Sequence, residues 1–127
     1  EIDATVRMTI EEYSDAGVSI RQCLVRVIRS SEMSREQIAD RMSELLSVRI
    51  TVRMLNSYTA ASKEDSRWPA EFDVAFCVAT GNYELLYERA KMAWLVLISA
   101  EDQKVLAIGR SYIAKLKAER ELAEVQL

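Results

Sequence analysis

The chain of 127 residues contains no histidine, three glycines, one proline and two cysteines. Without histidine it lacks the commonest metal ligand and the commonest general base. Glycines at 17, 81 and 109 are too dispersed to build a phosphate-cradling loop. Cys23 and Cys77 cannot form a four-ligand zinc set, and each sits in an apolar helical pattern. The expectation is two buried thiols in a reduced compartment. No apolar run approaches the roughly 18 residues of a membrane span. The first residues do not show a basic head followed by an apolar core, so no secretory signal is visible. The expected location is the cytoplasm, with no membrane partner and no cofactor.

Half of the residues are hydrophobic, enough for a core, and good helix formers dominate. The expectation is an all-α protein. The net charge of −3 is unevenly spread. Residues 1–18 carry five acids and one base, residues 19–68 nine bases and six acids, and residues 69–127 seven bases and nine acids. Positive charge thus gathers between residues 19 and 68.

Along the chain, residues 4–10 alternate as a short strand would, and residues 1–18 read as an N-terminal arm ending in a Ser14–Gly17 turn. Ser19 is placed to cap a helix over 20–30. Ser34 and Gln37 have the spacing of a capping box that opens a second helix. Thr51 caps a third helix over 52–61, with Val52, Leu55 and Tyr58 inward and Arg53, Asn56, Ser57 and Ala60 outward. Pro69 suits the first position of a fourth helix, whose buried stripe is Phe72, Ala75, Phe76 and Ala79. Trp68, Phe72 and Phe76 therefore read as core rather than as a base-stacking platform. Gly81 stops that helix. Asn82 caps a fifth over 83–93, with Tyr83, Leu86, Tyr87 and Ala90 on its apolar face. The run WLVLI at 94–98 extends it or forms a short strand. Ser99 opens a long charged helix over 100–126, in preference to a β-hairpin across 94–108. Leu106, Gly109, Ile113, Leu116, Arg120, Ala123 and Leu127 step by three and four, an imperfect heptad seam. The organisation expected is an arm (1–18), a helical domain (19–98) and an oligomerisation helix (99–127). Leu106, Ile113, Leu116 and Ala123 would join copies into a homo-oligomer, a dimer or tetramer.

Catalysis finds little support. Glu11-Glu12, Glu64-Asp65 and Glu101-Asp102 are sequence neighbours, and adjacent residues on a helix point about 100° apart. No base exists to activate a Cys or Ser nucleophile in the way histidine does. Binding is the better expectation. Ala39 suits the close approach of two helices, and Thr51 begins a helix whose outer face carries Arg53, Asn56 and Ser57. Those side chains can reach base edges or phosphates of double-stranded DNA, with Arg35, Arg49, Lys63 and Arg67 flanking them.

Three stretches carry a resemblance: "MSREQIADRMSELL" leading to "ITVRMLNSYTA", the polar loop before "WPAEFDVAFCVATGNYELL", and the C-terminal helix. Over about Ser19 to Leu86 the chain resembles the small helix-turn-helix regulators of temperate phages, the CII-like and Mu-like prophage regulators. "ATGN" is similar to the "ATGD" of such proteins. The resemblance implies four or five helices, transcriptional control and oligomeric DNA binding. The stretch differs from the usual one: the second helix is longer, "SVR" follows it, and the turn has no glycine. The rival expectation keeps the fold but makes it a protein–protein interaction module, with a protein partner and no DNA.

Overall fold

A computed structural model describes residues 15–62 and 66–125. Among these residues six α-helices follow one another: α1 (Ala16–Ser30), α2 (Arg35–Leu46), α3 (Val52–Thr59), α4 (Asp73–Thr80), α5 (Glu84–Met92) and α6 (Ala100–Val125). A 3₁₀ turn, Ala70–Phe72, leads into α4, and no strand occurs among the described residues. The protein is all-α with a long C-terminal helix. It divides after Val96 into two compact units. The strand expected at 4–10 lies outside the described residues.

The first unit is a layered pack. α2 lies against α4, α1 against α5, and α3 is held by α1 and α2. Its centre is Leu24, Val27, Ile38, Met42, Leu55, Phe76 and Leu85, none more than 1% exposed. Fully burying each such side chain contributes on the order of 1.5–3 kcal/mol. Tyr58, Trp68, Phe72 and Phe76 meet edge to face, with centroids 5.3–6.1 Å apart, and tie α3 to α4. That geometry sets the positive ring edge of one residue on the negative face of the next.

The capping signals operate as chemistry requires. Ser34 Oγ accepts from the Gln37 amide (3.1 Å), and Gln37 Oε1 accepts from the Ser34 amide (2.8 Å). Thr51 Oγ1 accepts from the Met54 amide at 3.1 Å. Ser99 Oγ accepts from the Asp102 amide at 3.0 Å, and opens α6. Gly81, at φ 68°, takes the left-handed position that ends α4.

Several boundaries differ from expectation. α1 begins at Ala16, ahead of Ser19, because the Ser19 amide already bonds the Asp15 carbonyl (3.0 Å) and continues the helical ladder. Of the turn expected at 14–17, Ala16 and Gly17 are helical, while Ser14 and the arm before it lie outside the described residues. α3 ends at Thr59 rather than 61, with Ala60 extended. Pro69 does not open an α-helix. Its ψ of 133° is extended, and the chain makes a 3₁₀ turn before α4 starts at Asp73. On α5 the core residue is Leu85, whereas Tyr83 and Tyr87 are exposed. Leu85 points between α1 and α4, while a tyrosine outside keeps its hydroxyl in water. Residues 94–98 form neither a helical extension nor a strand. The Leu95 amide bonds the Ala90 carbonyl (2.8 Å) and the Trp94 amide that of Lys91 (3.1 Å), with Trp94 left-handed at φ 60°. These two hydrogen bonds close α5.

Cys23 and Cys77 are both free and buried. Burial, with Glu84 nearby, pushes the Cys23 thiol from 9.0 up to about 11, and burial pushes the Cys77 thiol up as well. A protonated, enclosed thiol is a poor nucleophile. Neither cysteine should react with iodoacetamide at pH 8 in the native protein, and both should react in guanidinium, read by intact mass. Native labelling within minutes would contradict this packing. Stability associated with the raised Cys23 value is fully present below pH 9 and is lost as pH rises through about 11.

Candidate nucleic-acid interface

The connection between α2 and α3 is the first element of the site. Ser47 adopts the left-handed conformation at φ 54° and reverses the chain, the task a glycine usually performs. Val48 and Arg49 are exposed, and Ile50 is buried at 3%. Ser43 on α2 clamps this turn. Its Oγ accepts from the Ile50 amide (2.8 Å) and lies 2.8 Å from the Ala39 carbonyl and 3.1 Å from that of Ile50, either of which its proton can serve. One hydroxyl and one buried isoleucine therefore hold the turn from which α3 leaves α2. Ser43→Ala should cost about 1–3 kcal/mol in a urea melt, because it strands a buried amide. A change below about 0.5 kcal/mol would show that the turn is held by other contacts.

From Thr51 the third helix presents two faces. Leu55 is buried, and Val52, Met54 and Tyr58 pack against the core. The opposite side carries exposed Arg53 and Asn56 and half-buried Ser57. Residues 45–62 contain Arg49 and Arg53 and no acid. Nothing on α3 itself repels a polyanion. Arg35, half-buried on α2, reaches across: its Nη1 donates to Asn56 Oδ1 at 3.1 Å and to Thr59 Oγ1 at 3.2 Å. Asn56 is thus oriented by its neighbour, with its amide N–H₂ left to donate outward.

The structure gathers Arg35, Arg49, Thr51, Arg53, Asn56 and Ser57 on α2, the turn and α3. Arg49 and Thr51 share a cleft of about 530 Å³ with Glu36, Asp40 and Ser43. The two carboxylates bound the basic face on the α2 side. Arg67 stands apart, over the first turn of α1, with its Nη1 3.7 Å from where a Cβ on Gly17 would sit. Lys63 lies outside the described residues. Sequence reading missed Ser43 as the clamp and the Arg35–Asn56 contact. The first had a weak signal, a serine one helical turn beyond Ala39; the second spans 21 residues and has none.

Elsewhere, the described residues include no cluster of three or more acids or cysteines positioned for a metal ion. No helix among them is long and apolar enough to cross a membrane.

The second unit is dominated by α6, 26 residues and about 39 Å long. It buries none of its residues. Val105, Leu106, Ile108, Tyr112, Ile113 and Leu116 are all exposed, as is Ala123. Comparison with protein-family models, curated proteins and solved structures finds no match to this chain.

Proposed function

We propose that this protein is a sequence-specific DNA-binding regulator of the phage or prophage type, acting as an oligomer in the cytoplasm and without catalysis. The observation that carries the reading is the outer face of α3. It is acid-free, follows a turn held by Ser43 and Ile50, and presents an asparagine held in place by Arg35. Asparagine can bond an adenine edge in a bidentate manner, and Arg53 and Arg49 can meet phosphates on either side. In this account α2 and α3 act as a helix-turn-helix with Ser47 in place of the usual glycine, and α3 is the recognition helix.

Oligomerisation is assigned to α6. Six large apolar side chains between Val105 and Leu116 are exposed, and a lone helix gains nothing by showing them to water. At roughly 60–120 Å² each, they approach the roughly 800 Å² per partner of a standard interface. Ile113→Glu with Leu116→Glu should reduce the assembly to monomer in sedimentation equilibrium, with the helical first unit still folded. An unchanged assembly would remove α6 from the interface.

The same exposed residues favour the rival reading, in which α6 recruits a different protein and α3 contacts nothing. Selection from a random duplex pool separates the two. A regulator enriches a short site repeated with the spacing of an oligomer; an interaction module enriches none.

A further inference from the structure

A second cleft, of about 410 Å³, opens on the first unit. It lies between the start of α1, the end of α3, the segment 66–68 and the end of α5. The volume falls within the range of small-molecule sites, about 300–1,000 Å³. Its apolar wall includes Leu24, fully buried, and Met92. Tyr58 and Trp68 add two rings at 86° to one another. No acid is among the described residues that line it, whereas Arg21, Arg67 and Arg89 all do.

These three cations differ in availability. Arg89 is committed: it bonds both oxygens of the buried Asp73 carboxylate. Arg21 and Arg67 form no ion pair among the described residues. Arg67 is nonetheless placed, its guanidinium resting against the first turn of α1 beside Gly17. Two guanidiniums with no ion pair among the described residues, lining the same cleft as an aromatic and aliphatic wall, have a definite chemical complement. The geometry points to a site for a small organic anion, with a carboxylate, sulfonate or phosphate head on Arg21 and Arg67 and a planar apolar body against Trp68, Tyr58 and Leu24. Guanidinium is the side chain best suited to such a head, since its fork matches two oxygens at once. The rings supply contact area that tolerates several body shapes. Tyr58 belongs to α3, so a bound anion touches the helix assigned to DNA. That consequence rests on the functional reading above, but the binding site does not.

The test uses the full chain and two matched probes, naphthalene-2-sulfonate and its neutral counterpart naphthalene-2-methanol. Binding is followed by ¹H–¹⁵N spectra, without DNA. The sulfonate is expected to shift the Trp68 indole N–H and the Gly17 and Arg21 amides saturably. The alcohol should bind roughly tenfold more weakly, the worth of one charge-assisted hydrogen bond. Arg21→Gln with Arg67→Gln should abolish that advantage and leave the alcohol unaffected. Both positions lie outside the core, and retention of the Trp68 indole resonance checks the fold. Should the double variant unfold, the comparison of the two probes on the wild-type protein decides. Equal affinity for both probes, shifts confined to α6 or Leu95–Ile98, or no saturable shift at all would overturn the site. Because no DNA is present, failure here leaves the reading of α3 untouched, and failure of DNA binding leaves this site untouched.

Discussion

Arg89→Met is expected to destabilise the first unit by about 3–5 kcal/mol, the cost of leaving a buried carboxylate without its cation. Asp73 is 6% exposed at the start of α4 and accepts from the Arg89 guanidinium on α5 and, at 2.8 Å, from the Trp68 indole N–H. One carboxylate therefore joins α4, α5 and the segment before the 3₁₀ turn. Removing the arginine leaves a single neutral donor for a desolvated charge. Asp73→Asn is milder, about 1–3 kcal/mol, because the charge leaves with the substitution and the amide oxygen still accepts from Trp68. The partly exposed Arg89 can then rehydrate. The double variant should lie well below the sum of the two singles, a coupling that a urea-denaturation cycle measures directly. In thermal melts Arg89→Met should lower Tm by more than about 12 °C for a unit of this size. A loss of less than about 1 kcal/mol would show that the carboxylate is served by water rather than by Arg89. By contrast, the Arg26–Glu84 pair between α1 and α5, 2.8 Å apart but 53% and 41% exposed, should contribute little on removal.

The second large effect concerns DNA. Arg53→Ala combined with Asn56→Ala should weaken binding to a selected duplex by about a hundredfold or more, since one bidentate base contact is worth about 1–3 kcal/mol and a phosphate contact adds to it. The two singles should differ in kind. Asn56→Ala should relax preference at one base pair, whereas Arg53→Ala should weaken all sequences alike and lower the salt slope by about one unit. Both side chains are exposed, so melting temperature should stay within a few degrees of wild type. Arg35→Ala is the informative companion. It removes the donor that orients Asn56 Oδ1 and Thr59 Oγ1, and should mimic part of the Asn56 loss without touching the outer face. Wild-type affinity in all three would exclude α3 as the reading element.

How much of this was legible beforehand depends on the range of the interaction. The starts of α2, α3 and α6 follow from Ser34, Thr51 and Ser99, each of which bonds an amide three residues on. Gly81 likewise marks a stop that its own backbone requires. Such signals are local, and a single sequence contains them entirely. Choices made by the partner helix are different. Leu85 and Leu86 are equally apolar, and only the position of α1 and α4 decides that Leu85 is the one enclosed. Ser43 is an ordinary polar residue until Ile50 folds back on it seven positions later. Asp73 and Arg89 lie 16 residues apart, with no pattern connecting them. The outer face of α3 was readable because an apolar period defines its complement. The cleft bearing Arg21 and Arg67 was not, since it draws on four segments of the chain.

The regulatory function proposed for this protein requires that the outer face of α3 enter a groove of duplex DNA. The direct measurement is a ¹H–¹⁵N titration of the full chain with the selected duplex, mapping which amides and side chains respond. The largest shifts are expected at Thr51, Arg53, the Asn56 side-chain amide and Ser57, with Arg49 following. Shifts confined to α6, or an unchanged spectrum at saturating duplex, would contradict it.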